Sequence, residues 1–259
     1  MRSQITQITT SPFTTSDEAG EKLGKLLGYY SERNDTVILS VSPAAANIST
    51  VLANTLRLPS SSFIIRQVMS PLVPGLSLGS VGATGGQWWN GEYGIGIVKN
   101  EEIIRSAKIS QADLDDLIKK QVDEVRSTLP SLADTPQLAT LPATILLVDT
   151  GVNSTTTIRS AVKLLRHFGY HGRVVLACAV IGADAKVGLS THLKPSGDVQ
   201  MLYREVSEVV ALASPKDIGS PDMWLEFLLP SPTSSTNANT NTNTNTNAVH
   251  SSSSNTIQV

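Results

Sequence analysis

The chain has 259 residues, a hydrophobic fraction of 40% and a formal net charge of −2. It is long enough to bury a substantial core in one large domain, and its balanced charge gives no footing to nucleic acid or an anionic membrane as partner. A small molecule or another protein is the expected partner. The single cysteine, Cys178, lies inside the apolar run "RVVLACAVI", so no internal disulfide framework is possible and the thiol reads as a small buried hydrophobe. No apolar run is long enough to span a bilayer, and the N-terminal stretch lacks the apolar segment of a signal peptide. The expected compartment is the cytoplasm.

Residues 1–12 read as a flexible N-terminus. "DEAGEKLGKLLGYY" (17–30) carries apolar side chains at helical spacing behind a cap at Ser16, which predicts a helix. "TVILSV" (36–41) reads as a buried strand, "AAANISTVLANTLR" (44–57) as a helix and "SFIIRQV" (62–68) as a second strand, completing a βαβ unit. The glycine- and proline-rich stretch 69–94 predicts a long loop or hairpin excursion, and "GIG" at 94–96 a turn into a strand. Ser110 with Asp113 three residues on predicts a capped helix over 111–129.

A second unit follows. "TILLV" (144–148) is a strand, and Ile158, Val162, Leu165 and Phe168 line one side of a helix ended by Gly169. "RVVLACAVI" (173–181) and "SEVVAL" (207–212) are further apolar strands. Strands apolar throughout belong in a parallel sheet covered on both faces. The expected class is α/β: a doubly wound, mainly parallel sheet flanked by helices. It should occupy residues 13–229, followed by a disordered Asn/Thr/Ser-rich tail over 230–259, where there is almost nothing to bury.

Most candidate motifs read as structure. "GLSLG" (75–79) has the spacing of a nucleophile elbow around Ser77, but lacks the preceding strand and following helix. His167, His171, His192 and His250 have neither mutual spacing nor cysteine company for zinc, and no metal site built from side chains is expected. The acids Asp113, Asp115, Asp116, Asp123 and Glu124 read as a solvated helix face. Trp88 and Trp89 suit anchoring a loop to the core or a partner subunit better than stacking on a ligand.

"VDTGVNSTTT" (148–157) stands apart, because a strand delivers Asp149 to its carboxyl end and four hydroxyl residues then open a helix. Backbone N–H groups from Ser154 to Thr157 at a helix N-terminus can hold a phosphate dianion. Asp149 would then accept hydrogen bonds from ribose hydroxyls. A hydroxyl-rich cap with Asp149 satisfied by loop amides fits the same spacing.

These pieces, in this order, resemble the type I phosphoribosyltransferases over roughly residues 13–228. Their loop usually runs "VDDGxATGAT" where this chain has "VDTGVNSTTT". The resemblance implies that Asp149 and Thr150, at the two acid positions, meet the ribose while the loop after them, with Gly151, Ser154, Thr155, Thr156 and Thr157, holds its 5′-phosphate. It also implies a phosphorylated ribose as ligand, with Mg²⁺ accompanying phosphoribosyl pyrophosphate. Thr150 replaces the second acid of the family pattern. "PRGG" becomes "SPAAA" (42–46), with Pro43 at the arginine and Ala44 and Ala45 at the glycines; after the second strand Arg66 is kept but Gln67 stands for the lysine. A pyrophosphate leaving group needs cations and backbone donors, and each missing charge costs about a few kcal/mol, on the order of a hundredfold in rate. The expectation is a phosphoribosyltransferase-like protein with weak or no transferase activity. The rivals are an active transferase with a rearranged pyrophosphate site, and a non-catalytic scaffold or regulatory subunit that pairs as a homodimer through the Trp loop and flanking helices.

Overall fold

The computed structural model describes residues 13–84, 94–132, 141–190, 206–216 and 218. The tail at 230–259, the N-terminal residues 1–12, Trp88, Trp89, His192 and His250 lie outside the described residues.

The first βαβ unit forms where the apolar pattern places it. Helix α1 (Ser16–Leu26) has its cap one residue earlier than expected: Thr15 Oγ1 accepts from Glu18 N at 3.1 Å, while Ser16 is buried as the first helical residue. Strand β1 (Thr36–Ser40) is buried along its whole length. A 3-10 turn (Pro43–Ala45) then feeds helix α2 (Ala46–Leu56), which ends at Arg57 in the left-handed conformation. The two helices lie close together. A Cβ on Gly20 would sit 2.8 Å from Val51 Cβ, and one on Gly24 2.5 Å from Thr55 Cγ2, so only glycine permits this approach.

Strand β2 (Ser60–Met69) is longer than its apolar run. The stretch read as loop or hairpin contains strand β3 (Ser77–Thr84), and strand β4 (Gly96–Lys99) follows the "GIG" turn. Helix α3 (Glu101–Ala107) has no buried residue, so it carries no apolar periodicity to read. Helix α4 (Gln111–Thr128) starts as expected, with Ser110 Oγ accepting from Asp113 N at 3.1 Å. Its acids Asp113, Asp115, Asp116, Asp123 and Glu124 face solvent. Strand β5 (Thr144–Val152), helix α5 (Thr156–His167), strand β6 (Arg173–Ile181), helix α6 (Ala183–Ser190) and strand β7 (Glu208–Ala213) complete the chain order. Gly169 closes α5 with a φ of 84°, as its position after the last apolar residue predicts.

The seven strands among the described residues form one sheet in the order β4-β3-β2-β1-β5-β6-β7. The pairs β1–β2, β1–β5, β5–β6 and β6–β7 are parallel, and β2–β3 and β3–β4 antiparallel. Leu39, Leu147, Leu176 and Cys178 pack with α5 on one face; Ile38, Leu146 and Ala177 pack with α1 and α2 on the other. Further along that second face, Ile64 and Val68 of β2 meet Leu114, Ile118 and Val125 of α4. This is the expected doubly wound α/β class with an antiparallel meander at one edge.

Candidate functional site

Strands β1 and β5 are neighbours, paired from Thr36 with Thr144 to Ser40 with Val148. From β1 the chain winds outward to β2, and from β5 it winds the other way to β6 and β7. The loops leaving these two carboxyl ends therefore part from one another, and such a switch point is where open α/β sheets bind ligands. After β1, Ser42 Oγ caps the 3-10 turn by accepting from Ala45 N at 3.3 Å. After the apolar part of β5 comes Asp149.

Asp149 is 8% exposed. Its Oδ1 accepts from Ser42 Oγ at 2.9 Å and from Thr150 N at 2.8 Å. Burial pushes its carboxyl up to about 6, and these two donors hold it from rising further. One of those donors comes from the other strand end, 107 residues away in sequence. Nothing in the motif points to Ser42; only the register that sets Ser40 beside Val148 brings it to the acid.

The structure corrects the shape of the 149–157 segment. β5 does not stop at Val148 but runs on to Val152, pairing Asp149 with Cys178, Gly151 with Val180 and Val152 with Ile181. Asp149, Thr150 and Gly151 are thus strand residues, and only residues 153–155 connect to α5. Thr150 is buried, while Gly151 and Ser154 face solvent. Thr155 is the N-terminal boundary of α5 and makes no side-chain cap hydrogen bond. Ser154 Oγ accepts from Thr156 N at 3.3 Å, and Thr156 is exposed, with Thr155 and Thr157 half-buried. α6 walls one side of this mouth: Arg159 donates to Gly188 O at 3.0 Å, and a Cβ on Gly188 would lie 3.1 Å from Thr155 Cγ2.

Of the four residues assigned to the pyrophosphate side, three lie near one another. Ala44 is exposed and Ala45 fully buried in the turn after β1. Arg66 lines a cavity shared with Ser42 and Pro43, with Glu124 Oε2 3.8 Å from its Nε. Gln67 leaves β2 on the other face. It faces α5, donating from Nε2 to Ser160 Oγ at 3.0 Å and accepting at Oε1 from Ser77 Oγ at 2.7 Å. Consecutive strand residues point to opposite faces, so Arg66 and Gln67 cannot serve one site from β2. Ser77 sits in β3 with its hydroxyl on Gln67 Oε1 and no helix behind it, which removes the nucleophile elbow. Among the described residues no group of three or more His, Cys, Asp or Glu could hold a metal ion, and no helix is long and apolar enough to cross a membrane.

No family model matches the chain. It is similar to two Mycobacterium tuberculosis proteins named "Putative phosphoribosyl transferase Rv0571c" and "Putative phosphoribosyl transferase MT0597", each 24% identical over 204 residues. Those residues are 78% of this chain, which spans about 40% of the length of each relative. The chain resembles a phosphoribosyltransferase. Its fold is also that of the Thermus thermophilus protein TT1426, with a TM-score of 0.56 at 21% identity, covering 82% of this chain and 89% of that one. The family suggested by "VDTGVNSTTT" is thus the one whose name these relatives carry.

Proposed function

We propose that the chain binds a phosphorylated ribose at the switch point between β1 and β5 and performs transferase chemistry weakly or not at all. One observation carries the reading: the twelve-residue helix α5 opens to solvent without a side-chain cap at Thr155, directly after a buried acid on the neighbouring strand end. The helix dipole and its first N–H groups favour a phosphate dianion there. Oδ1 of Asp149 carries both protein donors, leaving Oδ2 to accept from a ribose hydroxyl. A buried carboxylate held by two donors is costly for a fold to keep, which marks it as a functional candidate.

Transfer needs more than this. Expelling pyrophosphate requires positive charge and donors placed where the negative charge grows. Pro43 has no N–H, and the N–H of Ala45 is taken by Ser42 Oγ. Gln67 faces the opposite side of the sheet, and Thr150 stands where a second acid would sit. Of the positions the family pattern assigns to pyrophosphate, Arg66 alone keeps a cation, shared with Glu124. Mg²⁺ would enter with a pyrophosphate-bearing ligand; the described residues around Asp149 supply no second carboxylate for it, so no step is assigned to the ion.

Calorimetry with ribose 5-phosphate, a nucleoside monophosphate and phosphoribosyl pyrophosphate, each with and without Mg²⁺, tests the reading. Affinities for ribose 5-phosphate and phosphoribosyl pyrophosphate are expected to agree within about threefold, because the pyrophosphate arm gains little. Robust pyrophosphate release with a purine, pyrimidine or nicotinate-type acceptor, abolished by Asp149→Asn, would establish an active transferase instead.

A further inference from the structure

On the α2 and α4 face of the sheet, a cavity of about 320 Å³ opens where β2 leaves β1. The two strands pair only from Ser60 to Ser62, because β1 ends at Ser40 while β2 runs on beside β3 on its other edge. Ser40 and Ser62 lie side by side at that fork, Oγ to Oγ at 3.3 Å. Pro43 and Ala46 at the start of α2 and Thr128 at the end of α4 line the cavity, together with Ile64 and Arg66. The core packed under α2 and the core packed under α4 are separate clusters, and of their buried members only Ile64 lines the cavity.

We propose that this cavity is a binding site for a small organic monocarboxylate, its carboxylate on Arg66 and its apolar body against Pro43, Ala46 and Ile64. The volume lies at the lower end of ordinary ligand pockets. Its chemistry is mostly apolar with a single cation, and a guanidinium fork matches a planar carboxylate with two parallel hydrogen bonds. The hydroxyls of Ser40 and Ser62 bond to each other at the long end of the hydrogen-bond range, so either can turn to a ligand oxygen. A more highly charged ligand fits badly. Glu124 stands 3.8 Å from Arg66, and a second negative charge would meet that carboxylate with no further cation among the described residues that line the cavity. The site goes beyond the phosphoribose reading: it takes in Pro43 and Arg66 from the pyrophosphate side of that reading but neither Asp149 nor the mouth of α5, and the Ser42 hydroxyl is already committed to Asp149.

Titration of the full chain with benzoate, followed by calorimetry or by amide chemical shifts, tests the proposal, with benzamide as the neutral isostere and inorganic pyrophosphate as the multiply charged competitor. Saturable benzoate binding is expected, weakened at least about tenfold when benzamide replaces benzoate or when Arg66→Met removes the charge but keeps the stem. Ala46→Leu, at an exposed helical position, should weaken benzoate comparably by narrowing the wall with Arg66 intact. Ribose 5-phosphate titrated in parallel should be indifferent to Ala46→Leu, and benzoate indifferent to Thr156→Asp, so the two sites fail or stand separately. Absence of benzoate binding up to about 20 mM would overturn the proposal. So would benzoate binding unmoved by both cavity variants, or pyrophosphate binding more tightly than benzoate and lost with Arg66→Met.

Discussion

The two strand ends that meet at the switch point have been built in opposite ways. At the end of β5 the chain spends polar groups: Asp149 is buried against the desolvation that raises its carboxyl, and a helix mouth with no cap from Thr155 follows within seven residues. At the end of β1 it withdraws them, with Pro43 lacking an N–H, Ala45 buried and its N–H closed by Ser42. Yet the ends are not independent, since the hydroxyl just past β1, Ser42 Oγ, is a donor to Asp149. The comparison teaches that the β1 turn serves the acid of its neighbour and gives a pyrophosphate neither a Pro43 N–H nor a free Ala45 N–H.

The sharpest way to break this asymmetry is at the helix mouth. Thr156→Asp places a carboxylate among the first N–H groups of α5, where it satisfies them itself and repels a phosphate. Affinity for ribose 5-phosphate should fall at least about a hundredfold while the helix, gaining an acidic first turn, keeps its stability. Unchanged affinity, in a wild type that binds, would move the phosphate elsewhere.

Asp149→Asn should come next, and its effects on binding and stability have opposite signs. The carboxyl sits at about 6 in the folded chain against 3.8 as its ordinary value, so folding favours its protonated form. Its contribution to stability is therefore full below pH 4 and lost as pH rises through 6, staying lost above that. Asn never ionises, so the variant should exceed the wild type at pH 7.5 by roughly 2–3 kcal/mol, and the gap should close toward pH 4. Denaturant melts at the two pH values measure it. Ribose 5-phosphate affinity at pH 7.5 should meanwhile fall. A variant less stable than the wild type at pH 7.5 would show that Asp149 is a structural ion and not a held-in-reserve acceptor.

How much of this was open to reading depends on which force set each element. Runs such as "TVILSV" and "RVVLACAVI" declare themselves because a strand covered on both faces has no other composition, and they carry the sheet. The end of β5 does not, because Asp149, Thr150 and Gly151 carry turn chemistry and become strand only by pairing with Cys178, Val180 and their neighbours on β6. β3 hides for a related reason. Its glycines look like loop, whereas a Cβ at Gly79 would collide with the carbonyl of Val98 on β4, so tight pairing is what requires glycine there. Of the candidate site, Asp149 and the 154–157 hydroxyls were legible from the order acid, glycine, hydroxyls. Ser42 was not, since its role depends on a register between strands more than a hundred residues apart.

Ser42→Ala tests that link. It leaves Asp149 Oδ1 with the Thr150 N–H alone and removes a hydrogen bond to a buried charged group, worth about 1.5–3 kcal/mol. The loss should show at pH 7.5, where Asp149 is ionised, and shrink near pH 4, where it is protonated. The double variant Ser42→Ala, Asp149→Asn should lose less than Ser42→Ala does alone, because the acceptor no longer carries charge. Equal losses in both backgrounds would mean that Ser42 acts only by capping its own turn.

The smallest effect is expected where the family pattern invites the largest. Gln67 stands at the position of a cation, so Gln67→Lys reads as a repair of the pyrophosphate site. The strand direction says otherwise. The side chain leaves β2 on the α5 face, where it bridges Ser160 of α5 and Ser77 of β3, and an ammonium there remains a sheet thickness away from Arg66 and the turn at Pro43. Lysine can still donate to Ser160 Oγ but has no acceptor for the Ser77 hydroxyl. Stability should drop by about 1 kcal/mol, the worth of one such bond. Affinity for phosphoribosyl pyrophosphate with Mg²⁺ should stay within about twofold of the wild type. A gain of an order of magnitude would mean that β2 can turn this residue over to the β1 side, and with it that the β1 end is an anion site awaiting its cation.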